Sequence, residues 1–177
     1  SIHDGYVLKS NIMNIDSLDV SNFGIYDLTG IEDFINMTYL NCSANQIVNL
    51  DLSQNSALSY VDCSNNQINN LLFSQKKAQS TLKTLNCNQN QISTLDVASK
   101  TLLASLSCDN NLLTGLNISN GNNLNFSYFS AINNPNLSCI TVDNSTWSAN
   151  NWPNIDSHCF FSNDCSTVSV EAIYGST

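Results

Sequence analysis

Apolar and polar positions along this chain fall into a frame that returns every 21 to 24 residues. The segments "YLNCSANQI" (39–47), "YVDCSNNQI" (60–68), "TLNCNQNQI" (84–92) and "SLSCDNNLL" (105–113) carry the same four marks in the same order. An apolar residue comes first (Leu40, Val61, Leu85, Leu106), then a cysteine (Cys42, Cys63, Cys87, Cys108). An asparagine follows (Asn45, Asn66, Asn90, Asn111), then another apolar residue (Ile47, Ile68, Ile92, Leu113). A later apolar pair closes each unit: Leu50/Leu52, Leu71/Phe73, Leu95/Val97 and Leu116/Ile118. Residues at i and i+2 of an extended chain share one face. Leu-x-Cys therefore predicts a short strand turned inward, and the later pair predicts a second, weaker strand. No window of 11 or more residues has helical periodicity.

Degenerate copies extend the frame in both directions. "SLDVSNFGI" (17–25) puts Val20 and Phe23 in the cysteine and asparagine slots, and "YFSAINNPN" (128–136) puts Ala131 and Asn134 there, with "CITV" (139–142) as the later pair. About six coils result, and the one longer spacing comes from three extra residues in a surface loop within 74–85. One such coil exposes its apolar face; stacking coils at ~4.8 Å buries it. The asparagine turns the chain out of the strand, and its amide is expected to bond the neighbouring coil, since a buried amide without partners costs on the order of 1–3 kcal/mol. The cysteine, a small hydrophobe, fits a tight stack.

The pattern L-x-x-L-x-[L/C]-x-x-N-x-[I/L] over 17–142 resembles the leucine-rich repeat. That resemblance implies a mainly β, right-handed solenoid with a parallel sheet on one face, short strands or extended segments on the other, and little helix. The expected divisions are a cap remnant (1–16), the solenoid (17–142), a C-terminal cap (143–166) and a linker or tail (167–177). Cys42, Cys63, Cys87 and Cys108, with Asn45, Asn66, Asn90, Asn111 and Asn134, are then a structural ladder.

Composition narrows the function. Charged residues are only 11% of the chain, while 30 are Asn, so the polar surface is built from neutral amides and hydroxyls that favour turns. Net charge is −9, with five Lys and no Arg, which argues against nucleic acid, whose phosphates need clustered cations. It equally disfavours anionic membrane surfaces, and no apolar run of 18 residues predicts a spanning helix. No signal-like segment opens the chain at Ser1, which reads as mature, trimmed or recombinant. Metal and cofactor motifs are missing. The four in-register cysteines are spaced as a column rather than as a converging Zn site. A calcium site around 109–111 lacks any known loop motif. His3 and His158 have no triad or metal pattern around them, and "SHCF" lacks an orienting third group for a Cys–His nucleophile. No enzyme is expected.

Outward strand positions are the candidate binding surface. Alternation places Tyr39, Asn41, Tyr60, Asp62, Asn86, Asn88, Asp109 and Tyr128 there, with Tyr39 and Tyr60 as stacked neighbours on an exposed edge. Tyrosines beside short polar groups suit recognition of a protein or a glycan; tyrosine is also simply a good strand residue. Seven cysteines leave three outside the ladder, Cys139, Cys159 and Cys165. A disulfide between Cys139 and Cys165 would clasp the last strand region to the tail, and Cys159–Cys165 is the rival; the odd count leaves at least one thiol free.

Both flanks, 4–47 and 133–166, resemble those of extracellular leucine-rich-repeat proteins of Bacteroidetes-type bacteria, through "NLSCI", "NWPNID" and "FSNDCS". In such proteins Cys139 and Cys165 match recurrent positions and Cys159 does not, which implies the Cys139–Cys165 pairing. A short helical cap often precedes their repeats, and a sorting module often follows a linker resembling "VSVEAIYGST" (168–177). The resemblance implies export to the bacterial surface or medium and possible further domains, with internalin-like adhesins as the functional analogy. The expectations are a non-catalytic adhesion module that holds a protein or glycan without a cofactor, or else a structural spacer between other domains.

Overall fold

The computed structural model describes residues 9–75 and 80–167. His3, most of the expected tail and part of the 74–85 loop lie outside them. Six short strands, β1 (Ser17–Asp19), β2 (Tyr39–Asn41), β4 (Tyr60–Asp62), β6 (Thr84–Asn86), β8 (Ser105–Ser107) and β10 (Tyr128–Ser130), pair in parallel as one front sheet in that order. From β2 onward the chain crosses behind after each front strand, through β3 (Asn49–Leu52), β5 (Asn70–Phe73), β7 (Thr94–Asp96), β9 (Gly115–Asn117) and β11 (Cys139–Thr141). Each front strand pairs with the equivalent strand of the next coil without slippage, as in Leu40 opposite Val61 and Leu85 opposite Leu106. This is the mainly β, parallel solenoid with little helix that the repeat frame predicts.

The core is the stack of inward side chains. Leu40, Val61, Leu85 and Leu106 are buried behind the front sheet, with the four cysteines beside them at 0% exposure. Ile47, Ile68, Ile92 and Leu113 line the turn, and Leu50/Leu52, Leu95/Val97 and Leu116/Ile118 supply the back wall. Three of the thiols also point along the axis: Sγ of Cys63, Cys87 and Cys108 lies 3.4–3.5 Å from a backbone oxygen of the following coil.

The asparagine column joins the coils. The Oδ1 of Asn66 accepts from Ile47 N–H of the coil before, while its Nδ2 donates to the carbonyls of Cys42 and of its own Cys63. Asn90, Asn111 and Asn134 repeat this bonding one coil at a time. Asn45 starts the column, accepting from both Phe23 and Ile25 N–H.

The last turn is abbreviated. Residues 143–166, expected as a cap, carry the helix α2 (Ser145–Asn151), an isolated pairing of Ile155 with Ala131, and β12 (Phe160–Ser162), which extends the back sheet beside β11. The segment therefore both covers the solenoid and continues it. Asn144 caps α2 by accepting Trp147 N–H at 2.9 Å. Trp152, 5% exposed, packs against the rings of Phe126, Phe129, Trp147 and Phe161 and closes the core. Cys139 and Cys165 are joined by a disulfide, and Cys159 is a buried free thiol. At the other end, α1 is a single turn (Lys9–Ile12).

Unlike the front, the back sheet is split. β3 pairs only with β5, and β7, β9, β11 and β12 form a separate sheet. The break falls where the longer coil inserts its extra residues.

Each turn holds one residue in the left-handed region just before the ladder position, which is Phe23 in the first coil and asparagine in the others: Asn22, Ala44, Asn65, Gln89, Asn110 and Asn133, all with φ between 54° and 60°. Asn tolerates that region because its short side chain bonds locally, whereas other L-residues are strained there by roughly 1–2 kcal/mol. Ala44→Asn and Gln89→Asn should each raise the unfolding free energy by about 0.5–1 kcal/mol in urea titrations; Asn65→Ala should lower it by a similar amount.

Candidate functional site

The front face presents its outward side chains in rows, because the strands are in register. Ser17, Tyr39, Tyr60, Thr84, Ser105 and Tyr128 form one row. Asp19, Asn41, Asp62, Asn86, Ser107 and Ser130 form the next. Tyr39 and Tyr60 stack with ring centroids 4.7 Å apart and planes 8° apart. That distance is close to the strand spacing of ~4.8 Å, so the ring faces look along the solenoid axis and each covers the other. Both side chains are half-buried rather than fully exposed. Burial, then Asp62 and Tyr39, raise the Tyr60 phenol above its ordinary pKa, so it stays neutral. Tyr128, 47% exposed, stands three strands from Tyr60 and does not join the stack.

The polar candidates are less free than their letters suggest. Asn41 Oδ1 accepts from Ser43 N–H and Oγ–H, and its Nδ2 donates to Asp19 Oδ2. Asp62 accepts twice from Ser64 and once from Asn86 Nδ2. Asn86 accepts from Asn88 N–H, Asn88 from Asp109 N–H, and Asp109 from Ser130 Oγ–H and Ile132 N–H. The outward strand ends thus build a second ladder of Asx turns on the surface. It holds Asp19 below the usual carboxylate pKa through bonds from Ser21 and Asn41. The face is therefore preorganised, with part of its hydrogen-bonding capacity already used.

Other candidate groups do not converge. Among the described residues no three His, Cys, Asp or Glu side chains form a metal-sized cluster. His158 is exposed while the neighbouring Cys159 is buried. Burial pushes the Cys42 and Cys159 thiols up to about 12, and raises Cys63, Cys87 and Cys108 as well. Such thiols are neither nucleophiles nor ready metal ligands. The sequence marked 143–166 as a cap without its helix or its aromatic cluster: Asn144 as a helix cap and Pro153 as a stop bracket α2, and both tryptophans of the chain sit there.

Comparison with known proteins follows this geometry. No family model matches the chain. Internalin J of Listeria monocytogenes is 42% identical over 50 residues, which is 28% of this chain and 6% of that protein. A solved structure described as the functional domain of InlJ from Listeria monocytogenes, including a cysteine ladder, superposes with a TM-score of 0.62 at 31% identity. That likeness covers 76% of this chain and 31% of the other, so the chain spans only part of either relative. The class is a leucine-rich-repeat solenoid with a cysteine ladder. Within it, the chain is similar to internalin J in sequence and in structure. Among the described residues no helix is long and apolar enough to cross a membrane.

The thiol column makes a pH prediction. An unfolded cysteine titrates near 8.5, while the folded thiols hold their protons far higher. The unfolded chain therefore loses protons first as pH rises, and stability falls with slope ~1.4 kcal/mol per pH unit for each thiol involved. The thiols' contribution should be level below about pH 8 and should drop from there toward pH 12, read as the urea midpoint between about pH 7 and pH 12. At pH 8 a thiol reagent should label the native chain negligibly, and label five cysteines once it is unfolded.

Proposed function

We propose that this chain is a non-catalytic recognition module of an exported bacterial protein, holding a protein partner against the front sheet with Tyr39 and Tyr60 at its centre. The observation that carries this reading is the face itself. Six strands in continuous register offer a stacked aromatic pair flanked by Asp19, Asn41, Asp62 and Asn86, which are already fixed by their own lateral bonds. A surface ordered before binding has little side-chain entropy left to lose, and tyrosine gives much contact area for few rotatable bonds. The front is a broad six-stranded sheet, and a broad sheet face suits a protein better than a small ligand. The likeness to internalin J supports export and surface display.

A second reading, a stiff spacer between other domains, draws on the same lateral bonds: Asn41 has both amide atoms engaged within the chain, which favours rigidity over outside contacts.

Tyr39→Ala with Tyr60→Ala distinguishes them. Against an array of host and bacterial surface proteins, the double variant should lose at least about tenfold in affinity for any protein the unaltered chain captures, with its unfolding midpoint nearly unchanged. Undiminished binding would move the site off this face, and an array without a partner would favour the spacer.

A further inference from the structure

A second, chemically different site lies at the C-terminal corner, beyond the front-face reading and independent of it. Between the start of β10 and α2 there is a cleft of about 270 Å³, walled by Tyr128 and Trp147 over Phe126 and Trp152, with Asn151 and Asn154 at its rim. We propose that this cleft binds a single neutral pyranose residue, such as the end or branch unit of a glycan.

Size sets the first limit. The volume is just under the ~300–1,000 Å³ range of small-molecule sites, so it takes one ring rather than an extended oligosaccharide. Chemistry sets the second. Five of the nine lining side chains are aromatic (Phe126, Tyr128, Phe129, Trp147 and Trp152), and none carries a charge, although the chain as a whole carries −9. A charged ligand would lose its hydration there without gaining a counter-charge. Neutral polar groups are nonetheless present. Asn151 spends Nδ2 on the Trp147 carbonyl and Asn154 spends Nδ2 on the Phe129 carbonyl, which leaves both amide oxygens as acceptors. Tyr128 adds a phenol, and Trp147 and Trp152 add indole N–H donors. A purely apolar ligand would leave these groups dry and unpaired.

A pyranose meets both demands. Its axial C–H faces are weakly positive and pack on the negative faces of aromatic rings, while its hydroxyls donate to amide oxygens and accept from indole and phenol donors. The rings are held in place from behind. Trp147 meets Trp152 edge-to-face at 5.7 Å, and Trp152 is packed at 4.7 Å against Phe129 of the front sheet, so the cleft rests on the solenoid core.

The test uses the methyl glycosides of glucose, galactose, mannose, N-acetylglucosamine and N-acetylgalactosamine. Saturation-transfer NMR is the readout, with tryptophan fluorescence beside it, because both tryptophans of the chain sit at this corner. At least one glycoside should bind in the millimolar range, and methyl glucuronide at least about fivefold more weakly than methyl glucoside. Trp147→Ala should abolish the signal. Asn151→Ala, on an exposed helix position that leaves the core intact, should weaken binding about threefold or more. Tyr39→Ala with Tyr60→Ala should leave it unchanged, which separates this site from the front face. No saturation transfer from any of the five sugars overturns the proposal, as does binding that survives both Trp147→Ala and Asn151→Ala.

Discussion

The structure depends on a buried amide that must bond its neighbours. A ladder asparagine such as Asn90, nearly out of reach of water, finds its partners in its own turn and in the coil before it: Cys87 and Asn88 carbonyls on one side, Cys63 carbonyl and Ile68 N–H on the other. Leaving those groups unpaired would cost on the order of 1–3 kcal/mol each, so a coil displaced by one residue along its neighbour is strongly disfavoured. Register follows. Once Leu40 must face Val61, Tyr39 must face Tyr60, and the outward rows are set by an interaction on the inner side of the sheet.

The ladder also shows why the two ends differ. Phe23 stands where later coils carry the asparagine; it has no amide to offer an earlier coil and is 73% exposed. At the other end no further ladder asparagine follows Asn134 among the described residues, and the Asp156 carboxylate accepts Asn133 and Asn134 N–H in the role that the next coil's carbonyls play elsewhere. One carboxylate satisfies two donors, and the Trp152 cluster with the Cys139–Cys165 disulfide covers the apolar interior that the ladder no longer protects.

What could be read in the sequence is what the stack forces to recur. Leu40, Cys42, Asn45 and Ile47 recur because every coil has the same interior, so their roles were legible from spacing alone. The strained turn position was not: Ala44 and Gln89 occupy it without the Asn or Gly that marks such a conformation. Nor was the state of the outward amides, since a free Asn41 and one bonded to Asp19 and Ser43 are spelled the same way. Strand pairing sets Tyr39 beside Tyr60 and Asn41 beside Asp62, but how accessible such groups are depends on pairings between coils that alternation does not reveal. The corner of α2 and Trp152 was hidden for a different reason. It occurs once, so no repeat points to it, and seven residues of Asn- and Ser-rich helix leave no periodic apolar stripe.

The one irregular coil shows why the front is the more regular face of the solenoid. Three added residues split the back sheet between β5 and β7, yet the front sheet passes through the same coil unbroken, with Tyr60 opposite Thr84. The back instead adapts by side-chain length. Asn55 reaches the preceding coil's Ile31 carbonyl with a short amide; at the same turn position Lys100 uses a long, buried arm to bond the Ser74 carbonyl and cover the Phe73 ring. Burial lowers the pKa of that amine, though the chain still keeps it there. Variation in coil length is thus absorbed behind the core, where a longer side chain can span a wider gap. The front cannot adapt in this way, because the ladder amides reach only one coil spacing. A surface whose geometry survives changes elsewhere in the repeat is the one on which contacts to a partner can accumulate.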